Sequence, residues 1–540
     1  MKKFLSLMLA VVLVVGLLAG CGGNDKPADT KPADNSGNAP AATQAPQAGG
    51  NDAAPAKDSV SLTFGSDPGT LAPAGNAGPL NSLLWAMYDH LWYVNNDGEF
   101  VYRVATSCEY TDDVTMLVTI RDDVTDSNGV KLTASDVLFS INVASSQESN
   151  ASYRGAVRYL DLEKCNVVDD THLNLVLKAP NILQQAMLQN VNLITEESYN
   201  KSPDGMITTP VGTGPFVLKE AVMGTSYVLE ARDDYWDGAP ALKTITFRSI
   251  DESAQRINAL QAGELDAIAL DASDVATGLE VPGTAQFSCQ VADTVGIIFN
   301  CESPVCGNKE VRKAIACAID NAAIRAVGYA NQGTIPKGFL NPGLTGWESG
   351  HDDACQKYDN YYEYNVEKAK EHLAASGIPE GTTLTVAITN NEVFVKTAQM
   401  IQTQLKEIGL ELTIDTWDAA TFNDTMDSNP ERYDFALAGY STSTGATLGL
   451  VFTWLTGAAN YHHWANTDGW NKVKELVAEA QVEQDETKRN ELGRQISDIL
   501  ADELPMYSYV CKSFDYVTKS DLNLVVYKDW TIDFTRTCWN

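Results

Sequence analysis

The stretch NVEKAKEHLAASGIPEGTTLTVAITNNEVFVKTAQMIQTQLKEIGLELTI, residues 365–414, decides the fold class of this chain. Asn365 can start a helix and Gly377 can end it, and residues 384–388 and 410–414 then alternate apolar and polar side chains, as half-buried strands do. The apolar residues between the two strands recur at helical spacing: Ala398, Ile401, Leu405 and Ile408. Strand, helix and strand in this order predict a crossover within a sheet, and therefore a mixed α/β fold.

Strands and helices of the same kind extend from this unit towards both ends of the chain. We predict a strand from Val60, a helix from Asp251 to Gly263 followed by a strand at 265–270, a helix capped by Asn308, and helices near 473–480 and 492–500. This body has roughly 480 residues, which exceeds the ~250–300 at which a single core stops growing. We therefore expect at least two lobes.

The start of the chain predicts export and a lipid anchor. Residues 1–3 are MKK, and mostly apolar residues follow at 4–20. A short basic start and an apolar core are typical of an export signal, and the run is slightly shorter than the ~20 residues that cross a bilayer. The segment LAGC at 18–21 is similar to the bacterial lipobox, which implies removal of residues 1–20 and attachment of lipid, such as palmitate, to Cys21. An uncleaved membrane anchor is the alternative.

The residues after the signal predict a tether. Residues 22–58 consist almost wholly of Gly, Pro, Ala, Asn, Asp, Thr, Gln, Ser and Lys, without an aromatic side chain. Such a composition cannot bury enough apolar surface to offset the entropy of ordering the chain. We expect residues 21–58 to be a disordered linker with a reach of roughly 30 Å. The body would then lie at the extracellular face of the cell membrane, or on the periplasmic side in a Gram-negative host.

The charge of the chain argues against two classes of partner. With 38 basic and 71 acidic residues, the formal net charge is −33. Such a charge disfavours binding to nucleic acid and a polybasic contact with membrane lipid. Solubility through self-repulsion explains the charge as well, so it does not predict the polarity of a ligand.

The cysteines leave the disulfide pattern open. Apart from Cys21 there are nine, an odd number, so at least one is unpaired within the chain. Cys301 and Cys306 are the closest pair and could close a small loop. Cys317 lies in an apolar helix and is expected to be a small buried side chain. No C-x-x-C occurs, which argues against a structural zinc site.

Several motifs follow one another in an order that is typical of one family. They are VGTGPF at 211–216, ARDDYWDG at 231–238, IDESAQRINALQAGELDAI at 250–268, FNCESPVCGNKEVRKAIACAID at 299–320, YEYNVEKAKEHLAASGI at 362–378 and ADELPMYSYV at 501–510. The ordered set resembles the extracellular solute-binding proteins of family 5, which serve ABC importers of the peptide and nickel type. The resemblance covers essentially all of residues 60–525.

The resemblance implies a fold and a function. It implies a two-lobed α/β fold of the periplasmic-binding-protein type II, in which the lobes close over a solute by bending at a hinge. Lobe one would comprise 59–293, with an extra subdomain at about 81–190, and lobe two 294–505. Residues 506–540 would return to lobe one, so that the hinge lies near Asp293-Thr294 and Pro505-Met506. The protein would be a monomer that acts without catalysis or a cofactor and passes the solute to ABC permease subunits in the membrane.

The VGTGPF motif can be interpreted from its residues alone. Gly212, Thr213, Gly214 and Pro215 predict a structural backbone turn, since glycine tolerates unusual dihedral angles and proline fixes the exit. A phosphate-binding loop is the alternative, but the sequence has neither the Gly-Lys-Ser/Thr of a P-loop nor the third glycine of a dinucleotide fingerprint. In the family this turn lies in lobe one near the cleft.

The family pattern breaks at a position that matters for the ligand. Peptide-binding members carry a segment like G-W-x-x-D-Y in lobe two, whose Asp pairs with the α-amino group of the ligand. Here Tyr440 stands in place of the Trp, Ser443 or Thr444 stands in place of the Asp, and no carboxylate occurs between Asp434 and Asp468. A buried ammonium without a counter-charge is costly. Residues 440–444, which are Tyr440, Ser441, Thr442, Ser443 and Thr444, are either a hydroxyl-lined contact surface or a plain polar loop.

Aromatic side chains are the other candidates for ligand contact, because ligand clefts favour rigid apolar walls. We name Trp417, Trp454, Tyr461 and Trp464 in lobe two, with Trp85 and Tyr88 facing them from lobe one. Core packing is the alternative for each. His462 beside His463 suggests a metal complex as ligand, but adjacent side chains point apart and no further His or Cys stands at ligand spacing, so we predict no metal site.

Two other classes of function remain open at this point. An exported lipoprotein hydrolase would need a catalytic motif, and neither Gly-x-Ser-x-Gly nor His-Glu-x-x-His occurs. A pair of carboxylates of the glycosidase kind is not excluded by spacing alone. A surface receptor or adhesin on the same scaffold would bind a protein without a small ligand. A solute that is not a peptide is the alternative within the binding class.

Overall fold

The computed structural model describes residues 57–63, 67, 69–75, 82–336, 363–441, 447–457, 461–527 and 531–540. The predicted signal, Cys21, nearly all of the predicted linker, Cys355 and the candidate contacts Thr442, Ser443 and Thr444 lie outside the described residues. Among the described residues, no helix has both the length and the apolar composition needed to cross a membrane.

The described strands, in chain order, are β1 Ser59–Thr63, β2 Trp92–Val94, β3 Phe100–Tyr102, β4 Ala105–Tyr110, β5 Thr115–Ile120, β6 Asn166–Asp169, β7 His172–Val176, β8 Phe216–Val222, β9 Ser226–Ala231, β10 Thr244–Arg248, β11 Ala267–Ala269, β12 Thr284–Phe299, β13 Thr383–Thr389, β14 Glu411–Trp417, β15 Phe435–Tyr440, β16 Met506–Lys519, β17 Leu522–Asn523 and β18 Cys538–Trp539.

The described α-helices are α1 Ser82–Met87, α2 Ala134–Ser145, α3 Ala151–Ala156, α4 Leu183–Met187, α5 Glu196–Lys201, α6 Ser253–Gln261, α7 Val275–Gly278, α8 Lys309–Ala318, α9 Asn321–Gly328, α10 Val366–Ser376, α11 Glu392–Glu407, α12 Ala419–Ser428, α13 Thr447–Val451, α14 Asp468–Val482 and α15 Glu486–Glu503. Short 3₁₀ turns lie at Leu188–Asn190 and Pro430–Arg432, and a π-helical turn lies at Phe452–Thr456.

The predicted crossover unit is confirmed. The side chain of Asn365 accepts a hydrogen bond from the backbone N–H of Lys368 at 2.9 Å and so caps α10. Gly377 ends that helix in the left-handed region, with φ of 73°. Strands β13 and β14 then pair in parallel, and α11 connects them. The predicted α/β class is confirmed by this unit.

One mixed sheet runs through most of the body. Its ten strands are ordered β14-β13-β15-β12-β16-β11-β1-β10-β9-β8. The long strands β12 and β16 lie at its centre and pair antiparallel with each other. Their pairing is irregular between Gln290 and Thr294, close to the predicted hinge at Asp293-Thr294. Met506, at the other predicted hinge, is the first residue of β16 and pairs with Ile298. The hinge positions and lobe boundaries stay a prediction.

A second sheet lies within the predicted extra subdomain. Its four strands are ordered β4-β5-β7-β6, and α2 and α3 accompany them in the chain. A hydrophobic core of its own includes Met116, Val118, Ile141 and Leu173, all fully buried. Each half of the ten-stranded sheet also has its own buried cluster. The cluster of the half with β8–β11 contains Leu229 and Phe247, and that of the half with β13–β15 contains Leu384 and Ile401.

Most of the other predicted elements are present with shifted ends. Helix α8 is capped by Asn308 as predicted, and the late helices are α14 and α15. Helix α6 begins one residue later than predicted, since Glu252 rather than Asp251 holds the N-cap position. The predicted strand 265–270 is shorter and spans only the residues that pair with β16.

The structure answers one question about the cysteines that the sequence leaves open. Cys301 and Cys306 are both free thiols, so the small disulfide loop is not formed. Cys306 lies in the core behind β12, and burial raises the pKa of its thiol well above the ordinary value. Cys317 is fully buried in α8, as predicted.

Candidate functional site

A recess lies in the half of the body that contains β1 and β8–β11, where five segments of the chain meet. Its empty space, counted out to its open mouth, is about 470 Å³. The lining comes from α1 and the residues after it, from the loop before β4, from the VGTGPF and ARDDYWDG motifs, and from the C-terminal turn. The lining residues are Trp85, Ala86, Tyr88, Asp89, His90, Tyr93, Arg103, Pro215, Tyr235, Tyr527, Ile532, Asp533, Phe534 and Thr535.

The VGTGPF motif holds α1 against the wall of this recess. A Cβ on Gly212 would lie 2.0 Å from the carbonyl oxygen of Met87, and a Cβ on Gly214 would lie 2.5 Å from its carbonyl carbon. Both positions therefore require glycine, because backbone meets backbone. Between them, the hydroxyl of Thr213 accepts a hydrogen bond from the backbone N–H of Asp89 at 3.1 Å. The motif thus fixes the residues that follow α1.

A buried polar network forms the floor of the recess. The carboxylate of Asp89 accepts hydrogen bonds from the hydroxyl of Tyr235 at 2.7 Å and from the indole N–H of Trp236 at 2.8 Å. Arg103 donates to the same Tyr235 hydroxyl and to the carboxylate of Asp237, both at 2.9 Å. Burial raises the pKa of Asp89, and the nearby Arg103 and the two hydrogen bonds oppose that rise. The network keeps a carboxylate beside aromatic rings.

His90 is held neutral in the wall. Its ring stacks on Trp85 with centroids 4.1 Å apart, and its Nε2 lies 2.9 Å from the side-chain oxygen of Asn192. Burial lowers the pKa of His90 to about 3. The imidazole therefore contributes a flat, uncharged surface at neutral pH.

The C-terminal turn continues this wall. The rings of Tyr93 and Tyr527 lie 4.7 Å apart, and the hydroxyl of Tyr527 donates to Asp533 at 2.7 Å. The other oxygen of Asp533 accepts from the backbone N–H of Thr535 at 2.9 Å. The half-buried members of the lining, which mark the mouth, are Trp85, Arg103, Asp533 and Thr535.

A second aromatic group lies at the end of β15 in the other half of the sheet. The ring of Trp454 lies 5.9 Å from that of Tyr440 and 6.0 Å from that of Tyr461. The indole N–H of Trp454 donates to the carbonyl oxygen of Ser441 at 2.7 Å. Tyr440 is 1% exposed, and its hydroxyl bonds to that of Ser508 on β16. The structure thus groups four of the predicted contacts, Tyr440, Ser441, Trp454 and Tyr461.

Of the remaining predicted contacts, Tyr88 lines the recess, while Trp417 and Trp464 belong to the same hydrophobic cluster as Tyr440. Trp417 ends the edge strand β14, packs near Phe422 and lies under the guanidinium of Arg432. Trp464 is 1% exposed and belongs to the core around α14 and α15. Tyr88 is fully buried and donates to the carbonyl oxygen of Leu71 at 2.8 Å. Ligand contact by these three stays a prediction, and core packing accounts for their positions.

The two adjacent histidines make hydrogen bonds to backbone carbonyl groups. Nε2 of His462 lies 2.9 Å from the carbonyl oxygen of Trp454, and Nε2 of His463 lies 3.0 Å from that of Met426. Burial lowers the pKa of His462 to about 4. Within the described ranges, no three His, Cys, Asp or Glu side chains lie together as metal ligands would.

Solved structures define the class of the fold. The ABC transporter substrate-binding protein CtaP from Listeria monocytogenes matches 90% of this chain with 99% of its own, with a TM-score of 0.77 and 23% identity. The oligopeptide-binding protein AppA from Bacillus subtilis, solved with a nonapeptide, matches 90% of this chain with 99% of its own, with a TM-score of 0.68 and 19% identity. The fold is therefore the two-lobed type II fold of solute-binding proteins.

Sequence comparison defines the family. Residues 99–462 match the bacterial extracellular solute-binding proteins, family 5, and the chain belongs to that family. AppA from Bacillus subtilis strain 168 is 26% identical over 418 residues, which cover 72% of this chain and 74% of AppA. The glutathione-binding protein GsiB from Escherichia coli K12 is 24% identical over 469 residues, which cover 83% of this chain and 88% of GsiB. The chain is accordingly a substrate-binding protein of the kind that serves ABC importers.

Proposed function

We infer that this protein captures a peptide or a peptide-like solute between two lobes, outside the cell, and delivers it unaltered to an ABC permease in the membrane. The observation that carries the proposal is the family match together with relatives that are named for peptides and for glutathione. Cys21 would anchor the protein to the membrane through lipid, and the linker 21–58 would hold the body clear of the surface.

Closure supplies the physical basis of this function. A solute shifts the balance between open and closed forms only as far as its contacts differ between them. The recess around Trp85 lies in predicted lobe one, and the group of Tyr440, Trp454 and Tyr461 lies in predicted lobe two. We assign these two surfaces to opposite sides of the cleft. A solute that touches both would stabilise the closed form, and the exclusion of water would strengthen its hydrogen bonds.

The solute is not assigned to free peptides alone. The segment 435–445 lacks the carboxylate that would pair with an α-amino group. The carboxylate of the preceding residue, Asp434, is already engaged in hydrogen bonds within the protein. Its carboxylate bonds to the hydroxyl of Ser303 and accepts from the backbone N–H of Thr385 at 2.7 Å. A peptide held at another carboxylate and a non-peptide solute with similar hydrogen-bonding groups are therefore the two candidates. The alternative of a hydrolase has no catalytic motif in the sequence to support it.

Mass spectrometry of the solute that co-purifies with the full chain tests the proposal. We expect one small molecule at one equivalent, which rebinds saturably after removal and is recovered with unchanged mass. Recovery of a cleaved product would support the hydrolase instead. Binding of a protein partner without any small molecule would support an adhesin.

Membrane attachment is tested separately with Cys21→Ser. We expect this variant to appear in the medium, or free in the periplasm, while the matched control Cys538→Ser stays with the membrane. Equal membrane retention of both variants would contradict the lipid anchor.

A further inference from the structure

We propose that the recess beside Trp85 binds a positively charged group of the solute, an ammonium or a guanidinium. This inference rests on the proposed function, because it assigns the chemistry of the same solute. It differs from the family pattern in placing the charge contact in predicted lobe one.

The charges that line the recess do not cancel. Its ionisable side chains are Asp89, His90, Arg103 and Asp533, apart from the tyrosines. His90 is neutral at pH 7 because burial holds its pKa at about 3. Among the lining side chains, two carboxylates therefore stand against one guanidinium.

The single guanidinium is already committed to carboxylates. Arg103 donates to Asp237 at 2.9 Å, and it also lies near the buried Asp89. Burial lowers the pKa of this guanidinium, but Tyr235 and the two carboxylates outweigh burial, so its pKa is raised and the charged form is favoured. Its positive charge is thus balanced on the floor of the recess and is not directed at Asp533.

Asp533 is held mainly by neutral donors. It accepts from the hydroxyl of Tyr527, from the backbone N–H of Thr535 and from the hydroxyl of Thr535. The nearest cation in its surroundings is Arg536, whose Nε lies 3.7 Å away and whose side chain is 60% exposed. Hydrogen bonds from neutral groups orient a carboxylate without neutralising it. The carboxylate therefore keeps its attraction for a cation at the mouth.

Aromatic rings line the same recess as this carboxylate. Trp85, Tyr93 and Tyr527 form one contiguous wall, since the ring centroids of Trp85 and Tyr93 lie 6.3 Å apart and those of Tyr93 and Tyr527 lie 4.7 Å apart. The negative faces of such rings attract ammonium and guanidinium groups, most strongly where water is excluded. Aromatic walls together with a carboxylate at the mouth favour an organic cation over a neutral or anionic group.

Two parts of a peptide-like solute carry this chemistry. One is the α-amino group, which has no carboxylate partner in the segment 435–445, and the other is a basic side chain. Two comparisons distinguish these sources. Replacing lysine by norleucine, which has the same four-carbon chain without the ammonium, tests the basic side chain. Acetylating the N-terminus tests the α-amino group.

Isothermal titration calorimetry of the full chain with four probes tests the inference. The probes are Ala-Lys-Ala and Ala-norleucine-Ala, each with a free and with an acetylated N-terminus. If the recess takes a side chain, the lysine peptides bind at least about tenfold tighter than the norleucine peptides. If it takes the α-amino group, acetylation weakens both peptides by a similar factor. Equal affinity for all four probes, or no binding by any of them, would overturn the inference. Solute capture itself is decided by the mass spectrometry of the co-purified molecule and would stand or fall with that result alone.

The variant Asp533→Asn tests whether the preference for a cationic probe arises in the recess, and Asp112→Asn is its matched control. Asp112 also accepts from backbone N–H groups in a turn, but it lies at an exposed site outside the recess. We expect Asp533→Asn to abolish most of the preference for the cation and Asp112→Asn to leave it unchanged. Tyr93→Leu, which removes a ring and no charge, should reduce the preference as well. A preference that survives both recess variants, with unfolding temperatures near that of the parent, would overturn the assignment.

Discussion

At the scale of single residues, the contact between Gly212 and Met87 shows how the most specific motif of the chain acts. The glycine lets two backbone segments approach closely, and the residues after α1 are positioned as a result. Asp89 and Tyr88 enter the recess from that point. The motif therefore positions the residues that we propose for ligand contact, and its two glycines do not themselves need to touch a ligand.

Replacing Gly212 by alanine should be destabilising. The new Cβ would lie 2.0 Å from the carbonyl oxygen of Met87, and neither backbone can yield without moving α1. We expect a loss of roughly 1–3 kcal/mol in the free energy of unfolding, as for other overpacked sites. Denaturant titration measures it. Gly155→Ala is the control, since nothing lies within 4 Å of a Cβ there. Equal stability of both variants would contradict the proposed packing.

His462 should make stability depend on pH. Burial lowers its folded-state pKa to about 4, while in the unfolded chain it stays near 6.5. The unfolded state therefore takes up a proton first, and stability is lost as the pH falls from about 6.5 towards 4. We expect this residue to contribute roughly 1–3 kcal/mol to that loss. His90 acts in the same sense.

Denaturant titration at several pH values measures this effect through its slope. His462→Gln should flatten the dependence between pH 6.5 and 4, whatever it does to stability at pH 7. A variant with the slope of the parent chain would show that His462 is already protonated in the folded protein or that its burial is incomplete.

At the scale of elements, the helices and strands with regular apolar spacing could be predicted from the sequence, whereas contacts between residues distant in sequence could not. The unit at 365–414 was predicted because capping residues and apolar spacing are local signals, and α10, β13, α11 and β14 confirm it. Of the side chains that line the recess, only Trp85 and Tyr88 were predicted as ligand contacts. Its other walls come from residues such as Arg103 and Asp533, which are 430 positions apart, and no local pattern indicates that they meet.

Burial also limited the prediction of contact residues. Tyr440 is a predicted contact because of its place in the family segment, and Tyr440→Ala would test it by removing the whole side chain. The ring is 1% exposed, so truncation would also open a cavity. Tyr440→Phe, which removes only the hydroxyl bonded to Ser508, is the better probe of that position.

Two elements that the resemblance assigns to different lobes contact each other directly. Phe452, in the π-helical turn, lies 6.4 Å from the ring of Tyr159 and 5.2 Å from the guanidinium of Arg158. Nearby, the backbone N–H of Ile182 donates to the carbonyl oxygen of Gln481 at 2.8 Å. With the predicted boundaries, this contact joins the extra subdomain to lobe two and should favour the closed form.

Phe452→Ala should therefore shift the molecule towards the open form. We expect faster hydrogen exchange at residues 158–187 and an apparent Kd for the co-purified solute that rises about three- to tenfold, because fewer molecules are competent to bind. Exchange mass spectrometry and calorimetry measure the two effects. Val327→Ala, at a residue 59% exposed, is the control. An unchanged rate of hydrogen exchange in the Phe452 variant would show that this contact does not stabilise the closed form.

At the scale of the whole molecule, one continuous sheet connects the two predicted lobes. Strands β12 and β16 lie at its centre and run from one half to the other, and their pairing is irregular between Gln290 and Thr294. At that irregularity, Lys512 pairs with Asp293 at 3.0 Å. A local break in the ladder allows bending while the rest of each strand stays paired. We therefore expect closure to occur by rotation about this point.

Small-angle X-ray scattering of the full chain, with and without the solute recovered from it, tests the central claim most directly. We predict a decrease in the radius of gyration that saturates at one equivalent of solute, with the solute recovered chemically unchanged. An identical scattering curve in both states would contradict capture by closure of two lobes.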